Sequence, residues 1–398
     1  MSTAVVRSIS TGLSQKGVRD HNERLLLSLL LRHGSLPASE LARRAGLSPP
    51  TVSGILKRLE TEGLLDRDAP VRGKVGKPSR PMHLSPDGAL SWGVKIGRRS
   101  AELVLLDLGG TARAARRTDY ATPRPDAVFD FIATATGELS AALTAAQRAR
   151  LCGIGVAAPF ELLDDRAAAR RSGAFRDWHG IDIAARVGAL TGLPVAVAND
   201  ATAACQAEQI FGRGKEFRDY AYFFVGTYVG GGVVLNNSVY EGRQGNAGAL
   251  GSLPTLGPEG ESRQLVDTAS IHTLEQRLRD SDVDPAVLWA APQDWSGIAR
   301  HVDPWLGQTA QELARASLSI CAVIDFEAVL IDGAFPPAIR AELVERVRRY
   351  LLNQDLRGLI APRIEAGSIG LGARAIGAAS GPISAQFLLD THAVPSAD

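Results

Sequence analysis

Residues 39–65 read SELARRAGLSPPTVSGILKRLETEGLL, and this run decides the first domain. Gly46 can take the left-handed cap that ends a short helix over Glu40–Ala45. Ser48 then stands at an N-cap, with Pro49 just inside the next helix. Val52, Ile55, Leu56 and Leu59 recur at i, i+3, i+4 and i+7, a single buried stripe. Upstream, HNERLLLSLLLR from His21 to Arg32 predicts a helix whose apolar middle must be covered on several sides. Downstream, Leu64–Leu65 and Met82–Leu84 predict two short strands, joined by DRDAPVRGKVGKPSRP. Helix, helix, turn, helix, then a basic hairpin is the order of a winged helix-turn-helix.

With the stripe turned inward, the third helix shows Pro50, Thr51, Ser53, Gly54, Lys57 and Arg58. Small and hydroxyl-bearing residues near its start, Ser48, Thr51 and Ser53, permit close approach to base edges and phosphates. Lys57 and Arg58 can neutralise backbone charge, as can Arg72, Lys74, Lys77 and Arg80 of the hairpin. Gly76-Lys77-Pro78 sets a cation on a stiff, narrow tip suited to a minor groove. Residues 1–83 carry a balance of +7 and the remainder −6, although the whole chain is only +1. A polyanion is therefore the expected partner of the front, and DNA is favoured over a module used only for protein contact.

The chain has 398 residues, more than one ordinary core accommodates, so two or three packed units are expected. Hydrophobic residues at 45% and charged residues at 22% exclude a largely disordered chain. No run approaches the roughly 18–20 apolar residues of a membrane span, and the first residues lack a secretory signal pattern. Three distant cysteines, Cys152, Cys205 and Cys321, exclude a disulfide scaffold and a cysteine-based metal site. A cytoplasmic location without membrane partners is expected.

The expected organisation is an arm at 1–18, the winged helix-turn-helix at 19–84, a linker at 85–90 and an α/β body at 91–398. In the body, runs such as WGVKIG, AELVLLDL, LCGIGVAAP, PVAVAND, YAYFFVG and GGVVLNN read as strands. Ala127–Gln147, Ala201–Phe211, Trp305–Phe326 and Pro337–Asn353 read as helices. Similar strand-rich openings near Trp92 and Tyr220 hint at two related halves.

Three features of the body carry chemistry. Asn199-Asp200 closes a predicted strand: Asp200 could act as general base on a sugar hydroxyl, with Asn199 bonding the ring. It could equally serve only as the N-cap of the following helix. The run Gly226-Thr227-Tyr228-Val229-Gly230-Gly231-Gly232 could turn N–H groups toward a phosphate, or be a tight hairpin with glycines at positive φ. Trp178, beside Asp177 and His179, could stack on a sugar or lie in the core.

Together, GIGVAAP at 153–159, PVAVANDATAA at 194–204, GTYVGGG at 226–232 and GNAGALGS at 245–252 resemble the ROK (repressor, open reading frame, kinase) family. The resemblance implies a two-lobed actin-like/sugar-kinase fold behind the winged helix-turn-helix. It also implies a sugar site using Asn199, Asp200, Gly248, Ala249, Ser252 and Asp267. Two of these depart from the family pattern: Ala249 and Ser252 stand where the family has a Glu and a His, and Asp267 corresponds to a further Glu. Family kinases open with Asp-x-Gly-Gly-Thr, whose Asp helps hold magnesium and phosphates. Here that stretch is Lys95-Ile96-Gly97-Arg98-Arg99, and a lysine cannot ligate the metal. The family's cysteine-rich zinc motif falls on GSLPTLGPEGESRQLVDTAS, which has neither cysteine nor histidine. Neither zinc nor ATP-magnesium is expected, and Asp200 is then a vestigial base.

The expectation is a repressor that binds a palindromic double-stranded operator as a homodimer or dimer of dimers. A sugar or sugar derivative between the lobes would gate it. An active sugar kinase with an appended DNA-binding domain is the rival. A ligand-blind regulator controlled by a protein partner is the third reading.

Overall fold

Apolar periodicity builds the first helices, and glycines then determine how closely the larger sheets are covered. The computed structural model describes residues 15–70, 80–163, 173–257 and 259–389. They divide into two units, one running to Gly88 and including Ser384–Leu389, the other spanning Ala89–Ile383.

The first unit comprises α1 (Gln15–His33), α2 (Ala38–Ala45), α3 (Pro49–Thr61), β1 (Leu65–Arg67) and β2 (Met82–Leu84). The α1 helix starts upstream of the expected His21, because the polar residues before it carry no apolar period. Gly46 adopts φ 64° and Ser48 caps α3, as the local chemistry demands. Val52, Ile55, Leu56 and Leu59 are all buried, as are Leu26, Leu27 and Leu30 of α1 and Leu41 of α2. Strands β1 and β2 pair antiparallel, Leu65 opposite Leu84. The segment at 384–389 joins this unit rather than the body, and the Leu389 N–H donates to the Ser28 hydroxyl at 2.9 Å.

The body begins with the meander β3 (Leu90–Ile96), β4 (Ser100–Asp107) and β5 (Ala112–Asp119). There follow α4 (Pro125–Ala141), α5 (Ala145–Arg148), β6 (Leu151–Ala158), α6 (Phe160–Leu163), α7 (Ile183–Thr191) and β7 (Val195–Asn199). The expected helix 127–147 is thus two: the Thr144 hydroxyl accepts from the Gln147 N–H while Gln147 accepts from the Thr144 N–H, starting α5 afresh. The sheet order is β5-β4-β3-β6-β7, antiparallel through the meander and parallel beyond β3. Buried on both faces, β3 is almost continuously apolar, whereas the edge strand β5 is exposed and carries Arg113, Arg116 and Arg117.

After α8 (Asp200–Phe211) comes a second meander of β8 (Tyr220–Val225), β9 (Val229–Leu235) and β10 (Ser238–Val239). It continues through β11 (Pro254–Leu256), β12 (Ser262–Gln264), α9 (Ile271–Arg279), α10 (Ala299–Cys321) and β13 (Ala328–Gly333). It ends with α11 (Pro337–Leu352), β14 (Arg363–Ala366) and α12 (Ala373–Phe387). The second sheet has order β10-β9-β8-β13-β14, with the same sequence of antiparallel and parallel pairings as the first. The two halves hinted at by the sequence are therefore two lobes of one plan.

Small residues seat the helices between them. A Cβ on Gly155 would lie 1.8 Å from the Ala378 carbonyl oxygen, and one on Gly377 would lie 1.7 Å from that of Ala203. Backbone approach of this kind tolerates no side chain, so α12 and α8 meet β6 through glycine and alanine. Hairpin β11–β12 occupies the stretch lacking family cysteines, and reciprocal hydrogen bonds between Gln264 and Asp267 close the following turn. Among the described residues, no helix is long and apolar enough to cross a membrane.

Candidate functional site

On the first unit, Ser48, Pro50, Thr51, Ser53 and Lys57 are exposed along one face of α3, as is Arg80 beside the hairpin. The Ser48 and Thr51 hydroxyls lie 2.8 Å apart, so each fixes the other's orientation at the helix start. Arg58 departs from expectation. It is half-buried and ion-paired with Glu23 of α1, so it braces two helices and is not an open cation. Arg72, Lys74 and Lys77 lie outside the described residues.

The body holds a cleft of about 520 Å³ that gathers Asn199, Asp200, Gly248, Ala249 and Ser252 in its lining. Gly97, Arg98, Thr227, Tyr228, Gln264 and Arg374 also line it. Its size lies in the usual range for small-ligand sites.

Strand β7 delivers Asn199 to the cleft, and α8 starts immediately after it. Asn199 is the N-cap: its Oδ1 accepts from the Ala201 and Thr202 N–H groups at 3.0 and 3.2 Å. Capping duty therefore does not fall on Asp200. Its carboxylate faces Arg374 instead, Oδ2 to guanidinium nitrogen at 3.4 Å, across 174 residues of sequence. The Arg374 guanidinium also lies over the Phe224 ring, at 5.0 Å.

Residues 226–228 of the glycine run make the tight hairpin turn between β8 and β9, but the three consecutive glycines lie beyond it. Gly230, Gly231 and Gly232 sit inside β9, and none has positive φ. They are glycine because side chains would collide: a Cβ on Gly230 would meet that of Ala201 at 2.8 Å, and one on Gly232 that of Cys205 at 2.5 Å. The run lets α8 lie on β9, which brings Asp200 to the cleft.

Two expected ligand residues lie elsewhere. Trp178 is buried in the first-lobe core against Phe129, and its indole N–H donates to the Pro123 carbonyl at 2.6 Å. A satisfied core tryptophan is the commoner case, and it is the case here. Asp267 is turned back on its own loop, accepting from the Gln264 N–H at 3.0 Å, and does not line the cleft.

Lys95 is buried behind the Gly97–Arg99 turn, with its ammonium donating to the Ser100 hydroxyl at 2.8 Å. Burial, and then the nearby charge of Arg374, push it down to about 7. An ammonium held this way offers no oxygen to magnesium, so this corner does not fit the metal of a phosphate loop. Arg98 is held between the Phe175 and Tyr228 rings, 4.9 and 4.6 Å from their centroids. Arg99 pairs with the fully buried Glu275, which also accepts from the Trp289 indole at 2.9 Å. Among the described residues, no group of three His, Cys, Asp or Glu side chains is arranged to hold a metal.

Sequence reading missed Arg374. Its one signal is a lone cation in the small-residue stretch GLGARAIGAASG.

The ROK family model matches residues 91–380, most of the chain. The chain belongs to the ROK family. A MarR family model matches residues 21–72 of this ROK protein, the segment of α1–α3 and β1. A Sinorhizobium fredii protein, y4fQ, is 28% identical over 371 residues, covering 92% of this chain and 91% of that one. The xylose repressor of Bacillus subtilis is 23% identical over 239 residues, 60% of this chain and 62% of the repressor. Among solved structures, a ROK family transcriptional regulator, homolog of the Escherichia coli MLC protein, superposes with TM-score 0.65 at 19% identity. That match covers 93% of this chain and 97% of the other. A ROK family glucokinase from Streptomyces griseus, in complex with glucose and AMPPNP, gives TM-score 0.57 at 23% identity, covering 73% and 98%. At these identities the two structures speak for the fold.

Proposed function

We propose that the protein is a transcriptional repressor that binds a palindromic operator as a homodimer in the cytoplasm, without a membrane partner. A carbohydrate in the body cleft gates it, and it works without zinc, ATP-magnesium or kinase turnover. The observation that carries this reading is the exposed face of α3, with Ser48, Thr51, Ser53 and Lys57 open at a capped helix start. The similarity to a xylose repressor supports it, as does the buried ammonium of Lys95 where a phosphate loop needs a carboxylate. Thr51 and Ser53 would read base edges, while Lys57, Arg80 and the hairpin cations meet phosphates. A ligand shifts operator affinity only by its preference for one arrangement of the protein over another.

Fluorescence anisotropy on DNA from upstream of its own gene, at fixed salt with random DNA as competitor, tests this. Specific binding altered by one sugar supports the reading. Specific binding indifferent to every sugar would favour a regulator controlled by a protein partner. Binding no tighter than to random DNA would count against the repressor itself.

One observation favours the rival kinase: Asp200 is released from capping and faces the cleft. A coupled assay of nucleotide turnover over a sugar panel decides. Turnover that vanishes in Asp200→Asn would make the protein an enzyme.

A further inference from the structure

We propose that the ligand of this cleft is an anionic sugar, carrying a phosphate or carboxylate that Arg374 receives. This rests on the reading of the cleft as a carbohydrate site and adds the class of carbohydrate.

Among the described lining residues, Arg98 and Arg374 are cationic and Asp200 is the one carboxylate. Lys95 stands buried behind them. A site for a neutral sugar needs strong acceptors for several hydroxyl donors, but the two positions carrying them in the family pattern are Ala249 and Ser252 here. The lining has thus lost acceptors and kept donors.

Arg374 is incompletely used by the protein. Its contact with Asp200 is single and long, 3.4 Å from one terminal nitrogen. Its Nε is buried out of a ligand's reach and has no hydrogen-bond partner among the described residues, so an anion in the cleft would be met by the terminal nitrogens. The Phe224 ring lies beside the guanidinium carbon, its centroid 5.0 Å away, and covers it on that side. A guanidinium that is mostly buried, covered by a ring and short of acceptors suits an anion received by its terminal nitrogens. Asp200 alone cannot satisfy it at that distance.

Burial is the largest cause of the lowered Lys95 pKa, and the charges around it act in second place. Arg374 depresses Lys95, Arg117 adds to that, and Glu102 and Asp200 oppose it. An anion at Arg374 relieves this repulsion as well as meeting the terminal nitrogens. Arg98, clamped between Phe175 and Tyr228, adds positive potential at the opposite turn without having to touch the ligand.

The test is isothermal titration of the full-length chain with neutral hexoses, pentoses and amino sugars, each matched with its phosphate and its uronic or aldonic acid. Inorganic phosphate and ATP are titrated alone. At least one anionic sugar should bind tighter than its neutral parent, and the phosphate and acid arms identify which group is taken. Arg374→Gln should weaken that ligand about 10- to 100-fold, the worth of a charge-assisted hydrogen bond, with partial recovery in Arg374→Lys. Arg98→Gln, read beside it, should give a smaller loss and keeps the test open if Arg374→Gln does not fold. Binding of a neutral sugar as tight as its anionic forms overturns the inference. If that neutral sugar also alters operator binding, the sugar-gated reading stands. An anionic sugar bound equally by wild type, Arg374→Gln and Arg98→Gln overturns it too, as does phosphate or ATP bound as tightly as any sugar. No binding by any compound, with specific operator recognition intact, defeats both this inference and sugar gating.

Discussion

The two lobes share a sheet order, and in each the turn between the first two strands reaches the cleft. In the first lobe that turn is Gly97-Arg98-Arg99, in the second Gly226-Thr227-Tyr228. The plan is the same and the chemistry is opposed: one turn is basic, the other uncharged and aromatic. The two meet directly, since the Arg98 guanidinium lies over Tyr228. Behind each turn stands the penultimate residue of the first strand, Lys95 in β3 and Phe224 in β8. Lys95 repels Arg374 while the Phe224 ring attracts it. A repeated fold fixes where a side chain arrives. The side chain alone decides what it does there.

The largest effect should come from closing the gap each lobe leaves for its helix. Gly155→Ala drives a Cβ into the Ala378 carbonyl and should cost more than about 4 kcal/mol, or abolish soluble expression. In the second lobe, Gly230→Ala on β9 meets only the Ala201 methyl of α8, at 2.8 Å, and should cost about 1–3 kcal/mol in urea unfolding. Equal losses would show that the carbonyl contact at Gly155 is no less yielding than the methyl contact at Gly230.

Next comes Arg99, which has no partner residue of like charge in the second turn. Arg99→Ala leaves Glu275 buried with the Trp289 indole, a 3.5 Å contact to Arg279 and a 3.6 Å contact to the His272 ring. A loss of about 1–3 kcal/mol in thermal or urea unfolding is expected, softened because Arg99 is itself partly exposed.

The buried Lys95 gives a pH signature that Phe224 cannot. Its native value, down to about 7, lies below its ordinary 10.5. Between these values the unfolded chain holds a proton that the native chain has released, so this group makes stability rise with pH. The penalty is complete below pH 7 and gone above 10.5. Lys95→Met should flatten the rise by up to about 1 kcal/mol per pH unit, read from urea midpoints at pH 6.5 to 9. An unchanged slope would mean Lys95 titrates normally.

The smallest effect is the contact between the turns. A double-mutant cycle of Arg98→Ala and Tyr228→Ala should give a coupling of about 0.5–2 kcal/mol. Additive losses would make the stacking incidental.

Much of this was legible in the sequence because its causes are local. Gly46, Ser48, Pro49 and the stripe Val52–Leu59 specify their turn and helix through neighbours a few residues away. Asn199-Asp200 and the 245–252 run reach the cleft as the spacing suggests. Where several local explanations compete, the string is less decisive. The glycines of 230–232 serve close packing, not a turn. Asn199 performs the capping that was one of two readings of Asp200, and Trp178 and Asp267 find partners away from the cleft.

By itself, then, the sequence determined the winged helix-turn-helix, the two-lobed plan and the presence of a lysine at position 95. Helix caps, apolar periods and residue identities act over short range and can be read in order. Only the tertiary structure decided that Arg58 braces α1, that Arg98 lies on Tyr228, and that Arg374 faces Asp200. Those pairings join residues 35, 130 and 174 positions apart. Which charges are satisfied and which remain open to a ligand depends on distance and burial, and the packed chain alone sets both.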